Sequence, residues 1–184
     1  LVRFRAHWHC SVLTIPVSIP RELCQRIVML IEHLSLARVA SFILAAAGAP
    51  TDHAEAVAQH LVEANLKGHD SHGVGLIPSY VKGMLDKQVD PHSHAKIIKD
   101  NNAIVSIDAG SGLGRVVGME AMDIGISRAQ KYGVTCVALG NAAHLGRIGA
   151  FAEHCADNGL VSMHYVNVVG HDPMVVAFGG RDRR

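Results

Sequence analysis

The chain has 184 residues, enough for one ordinary domain or a piece of a larger protein. Hydrophobic residues at 49% against 18% charged allow a packed core and exclude a disordered chain. A net charge of 17 minus 16, or +1, with aromatics at 4%, argues against a nucleic-acid binder or a stacking platform for single strands.

In chain order, residues 1–35 form an unassigned extension. Its first twenty residues carry Arg3 and Arg5 but no acid, and Pro16 and Pro20 interrupt any regular element. An extension without a fold of its own and a weak targeting segment are the two readings. From Leu36 the apolar positions Leu36, Val39, Ala40, Ile43, Leu44 and Ala47 recur at helical spacing, and Gly48 stops them. Pro50, Thr51 and Asp52 open a second helix in which Asp52 and Glu55 have capping-box spacing. Its apolar stripe runs through Ala54, Val57, Ala58, Leu61, Val62 and Leu66, so the pair predicts a helical hairpin.

A polar stretch from Lys67 to Gly75 leads into a third helix around Pro78–Leu85. Ala103–Asp108 alternates like a strand, and Gly118–Lys131 is helical by pattern. Val134–Leu139 predicts a buried strand, Gly140–Gly149 a loop, Ala150–Asp157 a helix stopped by Gly159, and Leu160–Val166 a further strand. Strands alternating with helices indicate an α/β layer. The expected division is residues 36–100 as a helical region with an active-site loop, and residues 101–184 as a partial α/β domain. The chain's end soon after Gly179-Gly180 reads as an interrupted domain.

No apolar run reaches the ~18 residues of a membrane span. Cys10, Cys24, Cys136 and Cys155 lie far apart without C-x-x-C spacing, which favours a reducing, intracellular setting. Cys136 and Cys155 read as small core residues.

The 13 histidines invite a metal or acid–base explanation. His69 and His72, three apart, would share a helix face, and His92 and His94 could add ligands, as a His-rich metal hydrolase would require. Gly68 and Gly73 flank the first pair, however, and make a loop the expected setting, so no metal site is assigned. Ser71 beside His72 is a poor nucleophile–base pair, because adjacent side chains rarely converge. Gly110, Gly112, Gly114 and Gly118 follow a strand and precede a helix, but Arg115 and Val117 stand where a dinucleotide fingerprint needs its third glycine. A tight turn is the expected reading. The loop Gly140–Gly149 places His144 just past a strand end, where open α/β sheets bind ligands. An imidazole there can take a proton from an alcohol and return it, or it can merely satisfy a loop carbonyl or cap a helix.

Three blocks resemble one family. Ala64-Asn65-Leu66-Lys67-Gly68-His69-Asp70-Ser71-His72-Gly73-Val74, with Pro78 and Tyr80, is similar to the start of the malate/L-lactate dehydrogenase family of the second type. Gly140-Asn141-x-x-His144-x-Gly146-x-x-Gly149 resembles its catalytic loop, and Asp172–Gly180 its next block. That family includes ureidoglycolate and sulfolactate dehydrogenases and a cyclic-imine reductase, and is unrelated to the Rossmann lactate dehydrogenases. The resemblance implies a non-Rossmann α/β fold, incomplete at the C-terminus, and hydride transfer between NAD or NADP and a small 2-hydroxy acid or 2-keto acid. It further implies a homodimer, and the cysteine usage makes the cytoplasm the expected compartment.

By the same resemblance His144 is the general acid/base, Ser71 and His72 line the site, and Tyr80 contacts substrate. Asp172 orients His144 or meets the substrate, and would raise the imidazole's pKa. Asn167, His171 and Gly179 fall in the block used around the cofactor. Leu76 stands where several members carry an arginine able to pair with a substrate carboxylate. The competing reading is an inactive fragment that acts only through subunit association.

Overall fold

The computed structural model describes residues 2–5 and 28–168. Two short strands, β1 (Val2–Arg5) and β2 (Val28–Ile31), pair antiparallel with Val2 opposite Ile31. The extension therefore contains a regular element, and Val2 is 1% exposed.

Helix α1 (His33–Ala46) starts at Glu32, whose carboxylate accepts the Leu34 and Ser35 N–H groups at 2.9 and 2.6 Å. This cap satisfies two N–H groups that the first turn leaves without partners. Helix α2 (Thr51–Leu66) begins after Pro50, with no side-chain cap. The expected capping box of Asp52 and Glu55 does not form, because the N-cap is Pro50, two residues earlier, which puts Asp52 inside the first turn. The two helices pack through Ala40 and Leu44 against Ala54, Val57, Ala58 and Leu61, forming the expected hairpin. Only the inner part of the α1 stripe is buried. Val39 is 54% and Ile43 43% exposed, as is Phe42 at 67%.

After two short 3-10 turns, Asp70–His72 and Val74–Leu76, α3 spans Ile77–Leu85 with Pro78 in its first turn. A mixed sheet follows in the order β3 (Lys96–Asn101), β4 (Ile104–Asp108), β5 (Cys136–Gly140). Strand β3 has no counterpart among the expected elements. All six of its residues are exposed, so its antiparallel ladder with β4, not a hydrophobic pattern, defines it. The sheet accordingly begins at Lys96.

Strand β4 alternates as expected, with Val105 and Ile107 buried. Helix α4 (Gly114–Tyr132) crosses from β4 to the parallel strand β5 and packs Ala121 on that inner face. It starts earlier than Gly118, directly out of the glycine turn. Strand β5 is not the buried strand expected: its residues alternate between exposed and half-buried, and Cys136 is exposed while Cys155 is buried. Among the described residues β5 has a neighbour only on its β4 side, and there the small-core reading of Cys136 fails.

Helix α5 (Gly149–Asp157) is the last regular element among the described residues. Leu160–Val166 is not a strand: it pairs with no other described strand and leaves Val161, Met163 and Tyr165 exposed. No helix among the described residues is long and apolar enough to cross a membrane.

Candidate active site

The parallel register sets Asp108 beside Gly140, so β4 and β5 end together and release their loops side by side. The loops are then tied to each other. Ala109 N–H donates to the Gly140 carbonyl at 2.9 Å, Ser111 N–H to the Asn141 carbonyl at 2.7 Å, and Ala143 N–H to the Gly112 carbonyl at 3.0 Å. Asp108 accepts from the Gly110 N–H and from the Asn141 side-chain amide. The glycine run is thus a turn filled by its own chain, as its spacing indicated. Gly114 matters for closeness: a Cβ there would stand 2.2 Å from the His144 carbonyl oxygen.

His144 emerges from this tied loop and meets α3. Its Nδ1 lies 2.8 Å from Tyr80 Oη, and the phenol also points at the His144 carbonyl at 3.5 Å. The His72 ring stacks on the imidazole with centroids 5.3 Å apart and planes 27° from parallel. His144 is exposed by surface area, yet Tyr80 and His72 remove water from two sides of the ring. That partial desolvation, and secondly the like charge of a protonated His72, lower its pKa below the ordinary 6.5. Burial pushes the Tyr80 phenol up to about 12, so it stays neutral and lends His144 no anionic partner. Asp172, expected to raise this pKa, lies outside the described residues; the described groups that face His144 lower it.

Ser71 Oγ lies 2.9 Å from His72 Nδ1, which corrects the expectation that adjacent side chains would not converge. The 3-10 turn brings them together. The partner of Ser71 is therefore His72 rather than His144. Asn65, to which the sequence reading gave no role, holds this turn: its amide donates to Asp70 at 2.6 Å and accepts the Val74 N–H at 2.9 Å. Leu76, partly buried, packs against the helical core.

His60 and Arg147 are two further residues absent from the expected site. His60 on α2 is 2% exposed, and its Nε2 accepts the Arg147 N–H at 3.0 Å. The Arg147 side chain, 7% exposed, donates twice to Glu153 (2.9 and 2.7 Å) and once to Glu63 (3.3 Å). Lys67 bridges the same two carboxylates. The guanidinium thus ties the loop to α2 and α5. The signal for the assembly is the i, i+3 and i+7 placement of His60 and Glu63 on α2 and Lys67 at its C-terminal cap.

Among the described residues no group of three His, Cys, Asp or Glu is placed to hold a metal ion. His94 instead pairs with Glu120 at 2.6 Å. Asn167 is exposed beyond α5, and His171 and Gly179 lie outside the described residues.

Residues 31–184 match the profile of the malate/L-lactate dehydrogenase family. Hydroxycarboxylate dehydrogenase B of Escherichia coli O157:H7 is 49% identical over 137 residues, which are 74% of this chain and 38% of that protein. L-lactate dehydrogenase of Cupriavidus necator is 36% identical over 156 residues, 85% of this chain and 45% of the relative. A solved candidate malate/lactate dehydrogenase from Escherichia coli superposes with a TM-score of 0.75 at 43% identity, over 82% of this chain and 42% of its own. The chain spans less than half the length of these relatives.

Proposed function

The chain belongs to the malate/L-lactate dehydrogenase family, and from that premise we propose that it interconverts a small 2-hydroxy acid and its 2-keto acid, with His144 as the general acid/base. The observation that carries this reading is the Tyr80–His144 pair at the shared strand ends. A separation of 2.8 Å suits either hydrogen-bond direction. Only with Nδ1–H donating to Tyr80 Oη does the neutral ring keep a lone pair on Nε2. That nitrogen takes the proton of the substrate's C2 hydroxyl during oxidation and returns it to the keto oxygen during reduction. Tyr80 Oη accepts from Nδ1–H in both states, so it aims the ring without exchanging a proton.

NAD or NADP, when bound, supplies the nicotinamide C4 that exchanges hydride with C2. Asn167 suits a place beside it, being exposed with its side-chain amide unused by any described residue. His171 and Gly179 complete that assignment, and Asp172 with Ser71 and His72 borders the substrate. The same reading takes a homodimer as the working unit and the cytoplasm as its compartment.

The sign of the pH dependence follows from the lowered pKa of His144. Oxidation needs the neutral ring, so kcat/KM for the hydroxy acid should rise with pH and level off after a midpoint below 6.5. Reduction needs the protonated ring and should fall through the same midpoint. Rate profiles in both directions check this, and a midpoint above 6.5 would contradict the assignment.

A further inference from the structure

His60 is a buried imidazole that the proposed chemistry does not use, and it touches the loop that carries His144. The ring lies under Gly146, where a Cβ would stand 2.2 Å from its Nε2, and near Phe151, with centroids 6.3 Å apart. Its Nε2 accepts the main-chain N–H of Arg147, three residues beyond His144. An acceptor nitrogen carries no proton, so the neutral ring holds its hydrogen on Nδ1, which has no partner among the described residues.

We propose that His60 is a positioning residue, its unprotonated Nε2 fixing the turn at residues 146–147 and so holding the His144 ring against Tyr80. This rests on the reading of His144 as the acid/base group, but its mechanical content stands apart from catalysis. Before His144 the loop is held by the Ala143 N–H on the Gly112 carbonyl and by the close approach of Gly114 to the His144 carbonyl. After it, the loop is held by the Arg147 side chain on Glu63 and Glu153 and by the Arg147 amide on His60. Of these ties only the one to His60 fixes the main chain of the 146–147 turn, so its loss lets that peptide rotate while the others remain. Charged and titratable groups face His60 from three elements: Glu63 on its own helix, Arg115 on α4, and Arg147 and His144 on the loop. Burial and the two guanidinium charges push the His60 pKa down to about 4, so the acceptor form persists at neutral pH.

The test uses the whole chain with isotope-labelled histidine, following the His144 ring through a pH titration by NMR. His144→Gln identifies its signals. Three replacements of His60 separate shape from hydrogen bonding. Glutamine places an amide oxygen near the Nε2 position and can accept the Arg147 N–H, asparagine falls short, and leucine has no acceptor. The expected result is a wild-type His144 titration and tautomer in His60→Gln. In His60→Asn and His60→Leu the His144 pKa should move up toward 6.5 as the ring leaves Tyr80 and returns to water. If His60→Leu does not fold, the glutamine and asparagine chains still decide. A His144 titration that is the same in all folded variants, or displaced as far in His60→Gln as in His60→Asn, overturns the proposal. A purely structural His60 would lower the melting temperature without moving His144. No turnover is measured, so an inactive chain or a non-catalytic His144 leaves the outcome readable.

Discussion

Replacing His144 with alanine is expected to slow interconversion of the 2-hydroxy and 2-keto acids by about 10²–10⁴-fold, the range for one positioned acid/base group. The loss should fall on kcat with little change in KM, because proton transfer is an interaction of the transition state and not of the bound substrate. Folding should be almost untouched. His144 is exposed, and the Tyr80 hydroxyl keeps the main-chain carbonyl of residue 144 as an acceptor. Steady-state kinetics together with a thermal melt check both halves. Full activity in the variant would remove His144 from the chemistry, and a collapsed melt would make its role structural.

Gly146→Ala is expected to be the most damaging small change in the loop, at about 2–6 kcal/mol. Two separate costs meet there. The backbone stands at φ +76°, which strains an L side chain, and the new Cβ would overlap the buried His60 ring at 2.2 Å. Each is worth about 1–3 kcal/mol. Gly133→Ala is the matching control, since Gly133 has φ +81° with nothing within 4 Å of a Cβ. It should lose only the backbone share. Denaturant melts of the two variants isolate the contact with His60: a clear gap between them is expected, and equal losses would show that this contact does not hold the loop.

The parts of the fold legible in the sequence were those encoded by side-chain periodicity. Ala40 and Leu44 on α1, and Val57, Ala58 and Leu61 on α2, repeat at helical spacing because they pack on each other. Val105 and Ile107 alternate because one face of β4 is covered by α4. Lys96–Asn101 carried no such signal. Its two isoleucines sit among lysines, Asp100 and Asn101, all exposed, and main-chain pairing alone makes it a strand. Leu160–Val166 gave the opposite error: apolar residues suggested a strand that finds no partner among the described residues.

The candidate site divides in the same way. His144, Tyr80, Ser71 and His72 sit in short blocks whose spacing is visible along the chain, and the structure brings all four together. Asn65 was quoted within one of those blocks, but nothing in the linear order shows that its amide braces the turn between Asp70 and Val74. His60 and Gly114 act across long loops, and a contact between residues that far apart leaves no local pattern. The lowering of the His144 pKa by Tyr80 and His72 is not legible along the chain for a related reason: it depends on which rings crowd the imidazole in space.

The central claim, hydride transfer at C2 assisted by His144, is tested most directly with a 2-hydroxy acid deuterated at C2. Incubated with the protein and NAD or NADP, it should yield the 2-keto acid and a reduced nicotinamide carrying the deuterium at C4, and His144→Ala should suppress both. Keto acid formed with its deuterium lost to water, or formed without any reduced nicotinamide, would contradict the account.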